Sequence, residues 1–174
     1  MFIHAGIDGF SRRVTFKNLA PDNEAATASE PFVRGCQEFG VPSRVRTDHG
    51  KENLDIARFM LTHSGANRGS IITGRSVHNQ RIERLWRDSF QSCTNVFNQL
   101  FYFLEKHHIL DETSELHLWC LHYVFVPRIR TALRVFKEGW NNHSLTSPGG
   151  KSPKQLSIRN GSIKLSIYFN QIAL

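Results

Sequence analysis

Short apolar segments alternate with longer helical segments along this chain, and that order constrains the fold more than any other feature. Residues 2–8 and 13–16 flank a turn at 9–12, which predicts a β-hairpin. Two further short strands are predicted over 41–47 and 69–74. Strands that alternate with helices in this way indicate an α/β fold. A helix is predicted over 24–39, with Asp22 or Asn23 as its cap. Further helices are predicted over 52–64, 79–106 and 115–126. Pro127 either kinks the last of these or begins a new helix that runs to Trp140.

The end of the chain is predicted from its composition. Residues 141–155 are rich in Asn, Ser, Gly and Pro, which favours an exposed loop. Residues 162–169 partly alternate between polar and apolar types, which predicts an edge strand.

Length and composition exclude several classes of protein. A chain of 174 residues suits a single domain with its own core. No apolar run approaches the ~18 residues that cross a bilayer, and the first residues lack the pattern of a secretory signal. The three cysteines, Cys36, Cys93 and Cys120, are widely spaced and odd in number, which favours a reducing compartment.

The net charge of +7 is concentrated in one part of the sequence. Acidic and basic residues cancel over 1–126, whereas 127–174 contains eight basic residues against Glu138 alone. Such a segment attracts polyanions through phosphate contacts and counterion release. The alternative is a solvated basic face with no ligand.

Two carboxylates are placed where α/β proteins build their sites. Asp48 follows a predicted buried strand, and Glu83 lies one turn into the next long helix, with Ile82, Leu85 and Trp86 facing the core. Converging carboxylates would bind Mg²⁺ or Mn²⁺, which prefer oxygen ligands. Two such ions catalyse phosphodiester chemistry in many enzymes. The alternative is an N-cap Asp48 and a surface Glu83 paired with Arg87.

Three motifs resemble the catalytic core of retroviral-type integrases and related transposases: Gly6-Ile-Asp-Gly-Phe-Ser-Arg12, Arg46-Thr-Asp-His-Gly-Lys-Glu-Asn53 and Asn79-Gln-Arg-Ile-Glu-Arg84. They occur in the family's order and at nearly its spacing. Trp140-Asn-Asn-His-Ser-Leu145, followed by Ser152-Pro153, resembles the family's post-core motif. The resemblance covers about residues 1–156. Two departures from the family pattern are minor. Gln80 stands where many members have Gly, and the interval from Asp48 to Glu83 is one residue shorter than the commonest one.

The resemblance implies a ribonuclease-H-like mixed sheet flanked by helices, with C-terminal helices added. It also implies metal-dependent strand transfer of DNA ends, with Asp48 and Glu83 as catalytic metal ligands and Mg²⁺ or Mn²⁺ as cofactor. Arg81, Arg84 and Arg87 lie on the helix that faces DNA in the family. The alternative for these arginines is a solvated helix face.

A third departure concerns activity. In the family, the first catalytic Asp lies on a central strand that precedes the hairpin, and no such strand precedes it here. Asp8 is therefore predicted to cap the hairpin turn by accepting hydrogen bonds from Ser11 or nearby amides, roughly 20 Å from the site. The alternative is a complete Asp8, Asp48 and Glu83 triad. Without the central strand, ladder groups on both sides are expected to lack partners.

We therefore expect an N-terminally truncated member with three parts: a partial catalytic core over 1–106, a helical extension and post-core loop over 107–156, and an atypical tail over 157–174. The expected function is nucleic-acid binding, with the chain inactive in strand transfer. One rival is a catalytically dead DNA-binding or domesticated interaction protein of the same fold, and a second is an unrelated helical scaffold. DNA is the expected partner, and neither a membrane nor a small-molecule cofactor is expected. The chain could form a homo-oligomer. A nuclear location would follow from DNA binding.

His117, Cys120 and His122 have a spacing that metal ligands also use. They lie in a strongly apolar helical segment, so core packing is the favoured interpretation. Trp86, Trp119 and Trp140 are likewise expected in the core rather than as base-stacking platforms.

Overall fold

The computed structural model describes residues 1–74, 80–146, 149–159 and 166–173. The strands are β1 (Phe2–Asp8), β2 (Val14–Ala20), β3 (Arg44–Thr47), β4 (Ile71–Thr73) and β5 (Ser166–Ala173). The α-helices are α1 (Ala25–Phe39), α2 (Leu54–Ser64), α3 (Gln80–Ser89), α4 (Asn95–Lys106), α5 (Glu115–Asn142) and α6 (Pro153–Arg159). None of the helices in these ranges combines the length and the apolar character needed to cross a membrane.

Within the described residues, the strands form one mixed sheet in the order β2-β1-β5-β3-β4. β1 pairs antiparallel with β2 on one side and with β5 on the other. β3 pairs parallel with both β5 and β4. The predicted α/β class and its mixed sheet are therefore confirmed.

The C-terminal strand β5 lies in the centre of this sheet, so the predicted edge strand is wrong. Residues 162–165 of that prediction lie outside the described residues. β5 fills the position between the hairpin and β3, where the ladder groups were expected to lack partners. That expectation is also wrong, because β5 pairs with β1 along its whole length, from Phe2 opposite Ala173 to Asp8 opposite Ile167. The predicted tail at 157–174 thus contributes a strand to the core.

Helices cover both faces of the sheet. On one face, α1 and α2 enclose a core that includes Phe32, Val45, Ile56 and Ile167. On the other, α3, α4 and α5 pack against Ile3, Ala5 and Ile7 of β1. Side chains of a strand alternate between the two faces, so each strand residue joins one of these two cores.

Several helix boundaries differ from the sequence predictions. The first helix begins after Glu24, and Asp22 accepts a hydrogen bond from the Glu24 amide (3.1 Å) instead of capping the helix itself. The long helix predicted over 79–106 contains a π-helical turn at Phe90–Thr94 between α3 and α4. Its predicted first residue, Asn79, lies outside the described residues.

The C-terminal half also departs from the predictions at two points. α5 continues through Pro127, so a new helix does not begin there. The carbonyl of Tyr123, which Pro127 leaves without its usual helical donor, belongs to an exposed residue and can be hydrated. The loop predicted over 141–155 is only partly exposed, because Leu145 and Ser152 are buried and α6 begins at Pro153.

Candidate functional site

Asp48 stands immediately after β3, as predicted, and it is half-buried. The Asn53 side-chain amide donates to Asp48 Oδ1 (2.9 Å) and also lies 3.3 Å from Glu52 Oε1. Both Glu52 and Asn53 are buried in the short 3₁₀ turn at Lys51–Asn53. No role was predicted for these two residues, although both stand in the motif that contains Asp48.

Gly50 makes room for this arrangement. A Cβ at Gly50 would lie only 1.6 Å from Glu52 Oε1 and 2.2 Å from the Glu52 carboxyl carbon. Only a residue without a side chain therefore allows the Glu52 carboxylate to fold back against the loop. The loop thus places a second carboxylate beside Asp48 through the shared Asn53 donor.

Glu83 is exposed in the first turn of α3, whereas Ile82, Leu85 and Trp86 are buried, as predicted. α3 contacts both β1 and β5. Among the described residues, Glu83 forms no ion pair with Arg87. The ion pair between residues four apart on α3 joins Arg84 to Asp88 (3.6 Å).

A shallow cleft brings Glu83 together with cationic side chains. Its lining includes Gln80, Glu83, Arg84, Arg87 and Asp88. Arg81, Arg84 and Arg87 are all exposed on α3. β5 neighbours the elements that position both carboxylates. It pairs with β3, which precedes Asp48, and it contacts α3, which contains Glu83. Two bridging ions would require the carboxyl groups of Asp48 and Glu83 to lie within roughly 8 Å of each other, and this separation stays a prediction.

The central strand β5 runs parallel to β3, the strand that ends just before Asp48. In this register, Val45 pairs with Ile167 and Arg46 with Tyr168. In the described part of the chain, no group of three or more His, Cys, Asp or Glu side chains is arranged to hold a metal ion.

Asp8 has the turn-capping role that the sequence predicted. Its Oδ2 accepts hydrogen bonds from the Ser11 amide (2.7 Å) and the Ser11 hydroxyl (2.5 Å), and the residue is buried. Asp8 is level with Ile167 of β5 and hence with Val45, three residues before Asp48. Two strand spacings and three residues separate the two backbones by about 14 Å. The structure therefore does not bring Asp8 to the Asp48 end of the sheet.

The post-core motif contacts the hairpin directly. Trp140 Nε1 donates to the Arg12 carbonyl (2.9 Å). The Asn141 side chain accepts from the Val14 amide (2.8 Å) and donates to the Val14 carbonyl (3.0 Å). Two motifs that are about 130 residues apart in the sequence thus form one structural unit at the hairpin tip.

The apolar segment of α5 is more exposed than expected. Trp119 stacks on Tyr123 with ring centroids 5.2 Å apart, and 62% of Trp119 is exposed, so its predicted core position is wrong. Cys120 is also exposed, which contradicts core packing there. Trp86 is buried, as expected, and Trp140 is half-buried against the core.

Comparison with known proteins agrees with this architecture. The sequence model of the family described as "Integrase core domain" matches residues 1–168. The chain belongs to the integrase core domain family.

A solved relative of this integrase core domain has the same fold. The HTLV-2 integrase catalytic core domain, solved in complex with magnesium in a trimeric form, superposes with a TM-score of 0.56 at 16% identity. The match covers 89% of this chain and 83% of that one. A search of curated proteins found no match.

Proposed function

We propose that this integrase core domain binds DNA and that Asp48 and Glu83 bind a divalent cation when DNA phosphates are present. The observation that carries the proposal is the placement of the two carboxylates, one after β3 and one beside Arg84 and Arg87 in a cleft, in a chain of this family. The parent reaction is metal-dependent strand transfer.

Two carboxylates can bind Mg²⁺ when phosphates of the substrate provide further ligands. Mg²⁺ keeps several waters in proteins and is usually held by one or two carboxylates together with phosphates of the substrate. Asp48 and Glu83 would supply the protein ligands, with Asn53 orienting Asp48. When bound, Mg²⁺ or Mn²⁺ would stabilise negative charge on a phosphodiester group. Cation binding is therefore expected to depend on bound DNA.

We also propose that the chain has no strand-transfer activity as it stands. Asp8, the aspartate of the first family-like motif, caps the hairpin turn through Ser11, so it does not stand beside Asp48 as a further carboxylate. This observation favours the second candidate function, a catalytically dead DNA-binding or domesticated interaction protein. A Mg²⁺-dependent nuclease activity that Glu83→Gln abolishes would decide for the enzyme.

DNA contacts are expected to be mainly with phosphates. Arg81, Arg84 and Arg87 are exposed on α3, and residues 127–174 add a cationic excess. Affinity should therefore fall steeply between about 50 and 200 mM salt and depend little on base sequence. A homo-oligomer and a nuclear location belong to the same proposal.

The decisive experiment measures Mn²⁺ binding by calorimetry with and without a short DNA duplex. We expect measurable binding only with DNA present, and about a tenfold loss of affinity in Asp48→Asn and in Glu83→Gln. Glu30→Gln is the matched control, because Glu30 is an exposed carboxylate paired with Arg34 on α1. Equal binding by all three variants would refute the assignment of the two ligands.

A further inference from the structure

The N-terminal half of α5 presents an aromatic surface to solvent. Leu116, Trp119 and Tyr123 are 67%, 62% and 71% exposed. Their spacing of three and four residues places them on one face of the helix. The rings of Trp119 and Tyr123 are nearly parallel, with an interplanar angle of 10°, so they form one continuous apolar surface. Contiguous exposed patches of this kind commonly mark interaction sites.

A groove of about 280 Å³ lies beside this surface, between α5 and the end of β2. Its lining includes three exposed side chains that a ligand can contact, Trp119, Tyr123 and Pro21, and the exposed Arg130. Sites for small molecules usually have volumes of roughly 300–1,000 Å³. This groove is smaller, and it therefore suits an anchoring side chain of a larger partner.

A cation stands next to the aromatic surface. Arg130 follows Tyr123 by seven residues, which places it on the same face of α5 and about 10 Å further along the helix. Its Nη2 donates to the Leu19 carbonyl (3.3 Å), which holds the guanidinium beside the groove. In the part of the chain that the structure describes, Arg130 pairs with no carboxylate, whereas Arg134 pairs with Glu138 (3.5 Å). The remaining donors of Arg130 can therefore bind a carboxylate from another molecule.

We propose that this α5 groove is a docking site for an acidic amphipathic helix of a partner protein. Trp, Tyr and Arg are the residue types that most often dominate binding at protein interfaces. Because Trp119 and Tyr123 are one turn apart, a partner helix that lies along α5 would meet them with apolar side chains that are also one turn apart. A carboxylate about two turns further along the partner would bind Arg130. The acidic character of the partner follows from charge complementarity with this unpaired arginine.

The test measures binding of fluorescent helical peptides to the full chain by anisotropy. Each peptide has two leucines one turn apart and three glutamates about two turns from them, in either order along its sequence. A matched peptide has glutamine in place of each glutamate. We expect an acidic peptide to bind at least about tenfold more tightly than its glutamine counterpart. Equal affinity of the two forms, or no binding of either, overturns the proposal.

Two substitutions locate the binding site. Trp119→Ala should weaken binding of the acidic peptide at least about tenfold, because an aromatic anchor is lost. Trp119→Phe should retain most of the affinity, which distinguishes a lost contact from a folding defect. Arg130→Gln should remove the preference for glutamate over glutamine, while the glutamine peptide keeps its affinity within about twofold.

Two matched controls remove the same side-chain types elsewhere. Phe10→Ala removes an exposed aromatic ring from the hairpin turn, and Arg68→Gln removes an exposed arginine from the loop before β4. Both variants should bind the acidic peptide as the unchanged chain does. An equal loss in these controls would mean that the peptide adheres to the surface in general, which overturns the assignment of the groove.

Two other occupants of the α5 groove would give different results. If duplex DNA displaces the acidic peptide and Trp119→Ala weakens DNA binding as strongly as peptide binding, the groove is part of a nucleic-acid surface. If the chain alone sediments as a dimer that Trp119→Ala dissociates, a second copy occupies the groove. Either result overturns the inference and leaves the assignment of Asp48 and Glu83 unaffected, because neither residue lines this groove.

Discussion

Asp8 and Asp48 each stand at the end of a β-strand, at opposite ends of one sheet. Asp8 is buried, and one of its oxygens accepts both the amide and the hydroxyl of Ser11. Asp48 is half-buried, and the side-chain partner that it has is the Asn53 amide. The same residue type is thus enclosed at one end and accessible at the other.

The surroundings of the two residues explain this difference. At the hairpin end, Trp140 and Asn141 from α5 add three hydrogen bonds to the backbone of Arg12 and Val14, which fixes the turn. At the Asp48 end, the carboxylate is held by one side-chain amide from the loop that follows β3. The hydrogen-bond partners of an aspartate in a family motif, and not its residue type, therefore indicate whether it stabilises the fold or is available for chemistry.

The largest effect is expected from Asp8→Ala. It would leave the buried Ser11 amide and hydroxyl without their acceptor and should lower the free energy of unfolding by about 3 kcal/mol. Urea denaturation measures this change. Asp48→Ala, as the matched variant, should cost less than about 1 kcal/mol, and a similar loss for the two would remove the distinction between the ends.

Between the two ends, Lys17 of β2 gives the chain a pH-dependent stability. Its ammonium lies 4.0 Å from the centre of the Trp86 ring, and burial lowers its pKa from 10.5 to about 7. The unfolded chain therefore binds more protons between about pH 7 and 10.5, so stability should rise with pH across that window. The ring contact favours the charged form and offsets part of this effect.

Lys17→Met should raise the free energy of unfolding by about 2 kcal/mol at pH 7 and flatten its rise toward pH 10. Denaturant titrations at several pH values provide the measurement, with Lys51→Met on the exposed loop as control. An unchanged slope in Lys17→Met would show that another group titrates.

The sequence predicted the parts of this comparison that depend on local interactions. Asp8 caps a turn through a residue three positions away, and Glu83 is exposed because its apolar neighbours face the core. The central position of β5 could not be predicted, because its alternation suits an edge or a central strand equally. That position depends on pairing with β1, more than 150 residues away. The roles of Asn53 and Gly50 required the loop geometry, which no periodicity encodes.

The smallest effect is expected from Gly50→Ala. The added Cβ would displace the Glu52 carboxylate, whose flexible end can move, so a loss of about 1 kcal/mol in unfolding free energy is expected. Mn²⁺ affinity with DNA should fall only about twofold to threefold, because Asn53 still contacts Asp48. Loss of all binding would show that Glu52 is itself a ligand.

The pairing of β5 with β1 has a consequence for synthesis. During translation, β1 emerges more than 150 residues before its central neighbour, which comes from residues 166–173. Until then, one side of β1 and one side of β3 present open backbone groups to any strand in reach. Because chains that fold through such distant contacts fold slowly, the nascent protein passes through an aggregation-prone stage, and chaperones that cover strand edges should raise its yield.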